Sequence, residues 1–214
     1  MNEMDQGYQG YPVTEETPIK KSKGAYLPHW TAKGGIYHVR FRLADSLPES
    51  IRRELSSEKI RLLALTDNSK DILTRYDRKR LVVLWSEKME KALDAGYGSC
   101  VLKSDSLASI VAEAITFFEG ERYRLYSWCI MPNHVHVVAQ PLGEFALSQI
   151  IHTWKSFTAK RCNAQLGRSG EFWQKESYDH LVRDDDDLRH CIDYVYLNSE
   201  KAGLMDWKWR WKAV

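Results

Sequence analysis

Residues 123–139 read YRLYSWCIMPNHVHVVA, and this stretch decides the fold because two apolar runs flank a short turn. Aromatic and β-branched residues favour strands, and the proline in Met131–Asn133 favours a turn between them. Residues two apart on a strand point to the same face of the sheet. His134 and His136 are therefore predicted to share one face of the second strand, while Val135 points to the other.

The segments around this hairpin predict an α+β protein with a ferredoxin-like split β-α-β sheet. In Ile36–Leu43, apolar residues alternate with His38, Arg40 and Arg42, which is the period of a strand. The other predicted elements are a helix over Ser104–Phe118, a helix over Ser148–Leu166, an edge strand over Phe172–Val182 and a last helix over Asp184–Ala202. The order is β-α-β-β-α-β followed by a terminal helix.

The domain organisation follows from composition and periodicity. The 214 residues are 43% hydrophobic, which is enough for one sizeable core. Residues 1–23 are polar without periodicity, so we expect a flexible tail. We expect one domain over 24–205, with a helical insertion over 47–100 after the first strand, and a basic aromatic tail over 206–214.

The composition excludes several classes of protein. No run of about 18 apolar residues exists, so no membrane span is expected. The polar, acidic N-terminus lacks the pattern of a secretory signal. The cysteines are scattered and form no C-x-x-C pair, so we expect reduced thiols in a cytosolic protein and no zinc site built from them. They are Cys100, Cys129, Cys162 and Cys191.

His134 and His136 are the first candidate site. Two imidazoles at this spacing on a strand can hold one metal ion, and two buried histidines without such a role would be costly core residues. An H-x-H pattern also occurs often by chance, and a structural histidine pair is its commoner explanation. The position in mid-strand, directly after a proline-marked turn, favours the metal site.

The last predicted helix carries the second candidate site. His190, Tyr194 and Asn198 are spaced i, i+4, i+8 and so form one row. Tyr194 can then reach a reactive centre while Asn198 offers an oxygen ligand to the metal. Tyr196 lies roughly 200° further round the helix and cannot serve the same site. Without the histidines, Tyr194 would be interpreted as a half-buried aromatic residue at a helix–sheet contact.

The motifs together resemble a known family. Trp128–His136 reads WCIMPNHVH and resembles the W-x-x-M-P-N-H-V-H signature of the IS200/IS605-like one-tyrosine HUH transposases, with the REP-associated tyrosine transposases as the most similar branch. Other segments resemble family segments in the same order: Tyr26–Trp30, Phe41–Pro48, Trp154–Thr158, Gly170–Gln174 and Asp193–Gly203. The resemblance covers roughly residues 24 to 205.

The resemblance implies an activity and the roles of the site residues. It implies metal-dependent cleavage and rejoining of single-stranded DNA at hairpin sequences, with Tyr194 as the nucleophile and a 5′-phosphotyrosine intermediate. His134, His136 and Asn198 match the positions of the metal ligands. Mg²⁺ or Mn²⁺ is the expected cofactor, although two imidazoles would also accept zinc. At Ser199–Glu200 the chain departs from the Pro-Val usual in the family.

The resemblance also implies contacts with a DNA hairpin and its single-stranded guide. No acidic residue occurs from Thr17 to Ala44, and cations and aromatic rings suit single-stranded nucleic acid, although exposed lysines usually serve only solubility. The expected contact residues are Lys20, Lys21, Lys23, Tyr26, His29, Trp30, Lys155, Lys160 and Arg161. A cytoplasmic, nucleoid-associated monomer or homodimer is expected.

Three alternatives compete with this interpretation. A catalytically inactive binder of hairpin DNA or RNA would keep the fold, but it would be free to lose the four site residues. A 2H phosphoesterase or a cupin would need a second histidine motif, which the remaining histidines do not form. A rolling-circle replication initiator shares the chemistry, but the chain carries no helicase domain.

Overall fold

The structure is a computed structural model that describes residues 20–23, 28–57 and 86–213, with only the backbone for 20–23 and 28–31. The strands are β1 Lys20–Lys23, β2 Pro28–Thr31, β3 Tyr37–Arg42, β4 Tyr123–Ile130, β5 His134–Pro141, β6 Tyr178–Leu181 and β7 Arg210–Lys212. The helices are α1 49–57, α2 86–94, α3 Asp105–Thr116, α4 Leu147–Gln165, α5 Asp185–Tyr196 and α6 Asn198–Lys201, and Val101–Lys103 is one 3-10 turn. No helix in this part of the chain could cross a bilayer.

The main sheet has five antiparallel strands in the order β6-β3-β5-β4-β7. The first four strands in this order are the fourth, first, third and second of a β-α-β-β-α-β unit, which is the split arrangement predicted from the sequence. The predicted α+β fold class is confirmed. β5 lies at the centre of the sheet because it pairs with β3 on one side and with β4 on the other.

One face of the sheet packs on α3 and α4 and forms the larger apolar core. Two buried aromatic side chains on this side connect the helices to the sheet through hydrogen bonds. Trp154 Nε1 on α4 donates to Tyr123 Oη at 3.0 Å, and Tyr123 Oη donates to the carbonyl oxygen of Ile115 on α3 at 2.7 Å. These two bonds join both helices to strand β4.

α5 covers the other face. Leu188, Cys191 and Val195 are its buried residues, and they pack against the apolar part of β4 and β5. The helix begins after Asp184, whose carboxylate accepts a hydrogen bond from Asp187 N at 2.8 Å. Such a cap satisfies a free amide of the first turn, and acidic residues there favour the helix dipole.

The structure differs from the predicted boundaries at both ends of the chain. Lys20–Lys23 is a strand paired with β2, whereas the sequence analysis placed it in a flexible tail. Within the predicted tail over 206–214, Arg210–Lys212 is a strand paired with β4, so the tail adds a fifth strand to the sheet. Both strands are short, and their pairing depends on partners that local periodicity does not reveal.

Two predicted elements are shorter than expected. The edge strand expected over Phe172–Val182 is reduced to β6, and Trp173 forms only an isolated bridge to Leu43. The last helix is interrupted at Leu197, where the backbone has φ −87° and ψ 0°. The i→i−4 bonds from Leu197 N to Asp193 O and from Lys201 N to Leu197 O are kept on the two sides of this residue.

The helical insertion has a small core of its own where the structure describes it. Leu47, Leu55, Met89 and Leu93 are buried together between α1 and α2. Other apolar positions of the predicted insertion lie outside the described residues: Leu62, Leu63, Leu65, Ile72, Leu81 and Leu84.

Candidate functional site

The predicted histidine pair lies on the central strand β5 and faces α5. His134 and His136 are fully buried, and their ring centroids are 4.9 Å apart. The alternation of the strand turns Val135 and Val137 to the opposite face, into the core beneath α3 and α4.

Hydrogen bonds at the Nδ1 atoms orient both rings. His134 Nδ1 lies 2.7 Å from Asn133 Oδ1. The Asn133 amide nitrogen donates to two backbone carbonyls, so its oxygen faces His134 and accepts the Nδ1 proton. His136 Nδ1 lies 2.9 Å from His38 Nε2 on the neighbouring strand β3. The Nε2 atom of each ligand candidate is therefore left to meet a further group.

Burial keeps the histidines neutral. It lowers the pKa of His134 and of His136 well below the ordinary value, and the positive charge of Arg40 adds to the effect at both rings. The pKa of His38 is also lowered, first by burial and then by the neighbouring His136. Neutral imidazoles carry the free lone pair that a metal ion requires.

A carboxylate from the helical insertion reaches the same place. Glu90 Oε2 on α2 lies 3.5 Å from His136 Nε2, and ligand atoms of Glu90, His134 and His136 all lie within 4.8 Å of one another. The other oxygen, Oε1, accepts a hydrogen bond from Arg40 Nη1. The three side chains fit the ligand set of a divalent cation.

The distribution of unsatisfied buried atoms singles out this region. Within residues 20–23, 28–57 and 86–213, five buried side-chain atoms have no hydrogen-bond partner. They are Glu90 Oε2, His134 Nε2, His136 Nε2, Asn198 Oδ1 and Trp128 Nε1. Four of the five belong to candidate metal ligands. Because an unpaired buried polar atom costs roughly 1–3 kcal/mol, coordination of a cation would account for these four atoms better than packing does.

Tyr194 on α5 is placed against the histidines. Its ring centroid lies 5.9 Å from that of His136 and 5.7 Å from that of His38. Burial raises the pKa of Tyr194 to about 12, while the positive charge of Arg40 and a hydrogen bond from Asn198 lower it. The phenol therefore stays protonated at neutral pH unless a further positive charge approaches it.

Tyr196 faces a different part of the molecule. The guanidinium carbon of Arg210 lies 4.6 Å from the Tyr196 ring centroid, and Lys212 Nζ lies 5.0 Å from it, both on β7. The structure therefore separates the two tyrosines as the helical spacing predicts, and it brings only Tyr194 to the histidine pair.

The predicted DNA-contact residues fall in two groups. On α4, which covers the face of the sheet opposite the histidines, Lys160 and Arg161 are exposed. Lys155 Nζ instead donates to the carbonyl oxygens of Gln174 and Lys175, at 2.7 Å each. In the N-terminal group, Lys20, Lys21, Lys23, His29 and Trp30 lie on β1 and β2, whose side chains are not described, and Tyr26 lies outside the described residues.

A second group of possible ligands is already satisfied. His180, Asp187 and Cys191 lie close together on β6 and α5. His180 Nε2 bonds to Asp187 Oδ2 at 3.0 Å, and Arg183 donates to the same oxygen. These bonds lower the pKa of Asp187 despite its burial and already engage His180 Nε2 and one oxygen of Asp187.

Sequence reasoning missed three residues that line the site. His38 and Arg40 were noted only as the polar positions of a strand, although that alternation was the signal for a second polar row beside β5. Glu90 gave no usable signal, because it is one of several charged residues in a helical stretch. Only the fold shows that α2 ends beside β5.

Part of the chain is similar to known proteins. Residues 100–196 match the family described as Transposase IS200 like. Over these residues, the sequence is similar to that of the IS200-like transposases. The resemblance predicted from the motifs is confirmed.

Two curated relatives carry the name REP-associated tyrosine transposase. One is from Haemophilus influenzae and is 35% identical over 89 residues, which cover 36% of this chain and 50% of the relative. The other is from Escherichia coli K12 and is 27% identical over 90 residues, which cover 40% of this chain and 52% of the relative. The chain thus spans about half the length of the curated relatives that it matches.

One solved structure supports the fold. It is a REP-associated tyrosine transposase bound to a REP hairpin, and it superposes with a TM-score of 0.51 at 18% sequence identity. The match covers 89% of this chain and 81% of that chain. At this identity the likeness concerns the arrangement of helices and strands.

Proposed function

We propose that this protein cleaves and rejoins single-stranded DNA at hairpin sequences, in the manner of a tyrosine transposase. The observation that carries the proposal is the set of buried, unpaired ligand atoms on His134, His136 and Asn198, together with the Tyr194 ring 5.9 Å from that of His136. A nucleophile next to a set of metal-ligating side chains suits phosphodiester chemistry. The similarity to the IS200-like transposases supports the same reaction class.

The residues present fit a divalent metal ion. The Nε2 atoms of His134 and His136 and the Oδ1 atom of Asn198 have free lone pairs, and the Nδ1 contacts of both rings hold their orientation. We infer that Mg²⁺ or Mn²⁺ occupies this position. When bound, the ion polarises the scissile phosphate and offsets the negative charge that develops on it.

Tyr194 performs the covalent step in this proposal. Its Oη forms a bond to phosphorus while the bond from phosphorus to the 3′ oxygen breaks. The phenolic proton passes to a solvent base, and the departing 3′ oxygen gains a proton. The product is a 5′-phosphotyrosine and a free 3′-hydroxyl, which reverses the step when it attacks. Arg40 and the Asn198 amide favour the phenolate because both lower the Tyr194 pKa.

The substrate is proposed from the relatives. One neighbour was solved with a REP hairpin, so we infer that a DNA hairpin beside a single strand is the partner here. Exposed Lys160 and Arg161 offer a phosphate-binding surface on α4, and the basic strand β1 offers a second one. Binding to DNA would place the protein at the nucleoid, as a monomer or a homodimer.

A catalytically inactive hairpin binder is the second candidate. The fold and the basic positions would serve it equally well. The unpaired atoms disfavour it, because a binder without chemistry gains nothing from buried ligand atoms that lack partners.

Cleavage of a labelled hairpin oligonucleotide tests the proposal. We expect cutting of the single-stranded hairpin with Mn²⁺ or Mg²⁺, no cutting with EDTA, and no cutting of the same sequence as a perfect duplex. Hairpins taken from DNA around the gene are the natural first substrates. Equal cutting of duplex DNA would refute the single-strand preference, and hairpin binding without any cutting would favour the inactive binder.

A further inference from the structure

Glu90 reaches the histidine pair from outside the segments that resemble the family motifs. It lies on α2, in the helical insertion, and its carboxylate is within 4.8 Å of the ligand atoms of His134 and His136. We propose that Glu90 is a further ligand of the metal ion and that Arg40 positions its carboxylate. This inference rests on the metal site proposed above.

The spacing of the atoms suits two ligands of one ion. Glu90 Oε2 and His136 Nε2 are 3.5 Å apart, at the far limit of a hydrogen bond. Two ligands each about 2.1 Å from an ion, at an angle of about 90–110°, lie about 3.0–3.4 Å apart. A carboxylate also shifts the preference of the site, because hard cations such as Mg²⁺ and Mn²⁺ prefer oxygen to imidazole nitrogen.

Arg40 holds the carboxylate in this orientation. Arg40 pairs with His136 in the register of β3 and β5, so its side chain leaves the sheet beside that histidine. Its Nη1 donates to Glu90 Oε1, and Oε2 remains without a hydrogen-bond partner among the described residues. The Arg40 side chain is 5% exposed and that of Glu90 is 14% exposed, so neither partner is free to turn to solvent.

The backbone that carries Glu90 is fastened to the histidine strand. Asn133 Nδ2 donates to the carbonyl oxygens of Leu93 and Tyr97, at 3.0 and 3.2 Å, at the end of α2. The oxygen of the same amide orients His134. One side chain therefore sets the position of the helix that carries Glu90 and the ring of a second ligand.

Manganese affinity measures the role of Glu90 without relying on DNA cleavage. Free Mn²⁺ is followed by electron paramagnetic resonance during titration of the metal-free full chain. We expect Glu90→Gln to bind Mn²⁺ about 10- to 100-fold more weakly than the wild type. The matched control is Glu87→Gln, an exposed change of the same chemistry on the same helix, which should leave the affinity unchanged. Thermal melting of each variant confirms folding.

A double variant separates ligation from simple charge balance. In Glu90→Gln alone, the unpaired charge of Arg40 would also repel a cation. In Arg40→Gln/Glu90→Gln that charge is gone. If Glu90 is a ligand, the double variant still binds Mn²⁺ weakly. A return to wild-type Mn²⁺ affinity would show that Glu90 only neutralises Arg40 and would overturn the inference.

The inference and the proposed function fail in different ways. Tight Mn²⁺ binding and hairpin cleavage by the wild type, with equal affinity in Glu90→Gln, would refute only the role of Glu90. A wild type that binds no Mn²⁺ would refute both. Weak Mn²⁺ binding by Glu90→Gln and by Arg40→Gln/Glu90→Gln, together with normal binding by Glu87→Gln, supports the assignment of Glu90.

Discussion

The two faces of the central sheet are both buried but are built on different rules. Beneath α3 and α4, Trp173 Nε1 donates to Thr158 Oγ1 at 2.8 Å, and Trp128 Nε1 is the one buried side-chain atom without a partner among the described residues. Beneath α5, the buried side chains include three neutral histidines and an arginine paired with a carboxylate. Four atoms on that side have no partner among the described residues.

A single strand serves both faces. On β5, Val135 and Val137 fill the apolar core while His134 and His136 point to α5, so neighbouring residues have separate tasks. Burial alone therefore does not distinguish packing residues from functional ones. The distinguishing property is whether the buried polar atoms have hydrogen-bond partners. Buried polar atoms without partners are destabilising and are typical of functional sites.

The largest expected effect concerns Tyr194, the proposed nucleophile. It lies on the face of the sheet that α5 covers, which we call the functional face. Tyr194→Phe removes one oxygen and should lower hairpin cleavage by at least about 10³-fold, because the oxygen that attacks phosphorus is lost. Its unfolding free energy should change by no more than about 1 kcal/mol, because a single hydrogen bond is lost. A denaturing gel with DNA labelled on the 3′ side of the cut detects the covalent adduct.

Tyr196→Phe is the matched control for this experiment. Tyr196 contacts β7 through Arg210 and Lys212, away from the histidines, so the adduct should persist in this variant. An adduct that survives in Tyr194→Phe and vanishes in Tyr196→Phe would mean that α5 presents its other side to the substrate.

The second prediction compares neighbours on β5. Val137→Ala opens a cavity in the apolar core and should lower the unfolding free energy by about 2–3 kcal/mol, with Mn²⁺ affinity unchanged in the folded fraction. His136→Asn should do the opposite: a loss of at least tenfold in Mn²⁺ affinity, with a stability change within about 1 kcal/mol. Urea unfolding and Mn²⁺ titration check both. Equal effects of the two substitutions on Mn²⁺ binding would contradict the assignment of metal binding to one face of the sheet.

Local periodicity was enough to predict most of the fold. The alternation in Ile36–Leu43 and in the hairpin around Pro132 predicted three central strands, and helical spacing predicted α3, α4 and α5. The i, i+4 spacing also placed Tyr194 and Asn198 on one side of the last helix. These patterns work because each element buries one face, and its residues carry that information locally.

Long-range pairing could not be predicted in the same way. β7 has three residues and pairs with the edge of β4, more than 80 residues away in the sequence. Glu90 resembles the other charged residues of its helix, and its role depends on a fold that brings α2 beside β5. Arg40 was visible as a polar strand position, but its partner was not.

Acid should affect the two faces differently, because the histidines that are buried among the described side chains, His38, His134 and His136, all lie beneath α5. Their pKa values are lowered in the folded protein, while in the unfolded chain they approach the ordinary value of 6.5. Below about pH 6.5 the unfolded chain therefore binds protons that the folded protein does not. As the pH is lowered below about 6.5, the unfolding free energy should decrease by up to about 1.4 kcal/mol per pH unit for each such histidine. Well above pH 6.5, these histidines should not make the unfolding free energy depend on pH.

Urea unfolding at pH 7.5 and pH 5.5 in EDTA measures this slope, and single substitutions assign it. His134→Asn should reduce the slope by up to about 1.4 kcal/mol per pH unit, because one proton fewer is taken up on unfolding. His152→Gln, at an exposed position of α4, should leave the slope as it is. Asp187, whose pKa is lowered from 3.8, titrates below this window and does not interfere. A wild-type stability that is the same at both pH values would mean that the histidines on the functional face accept protons while folded.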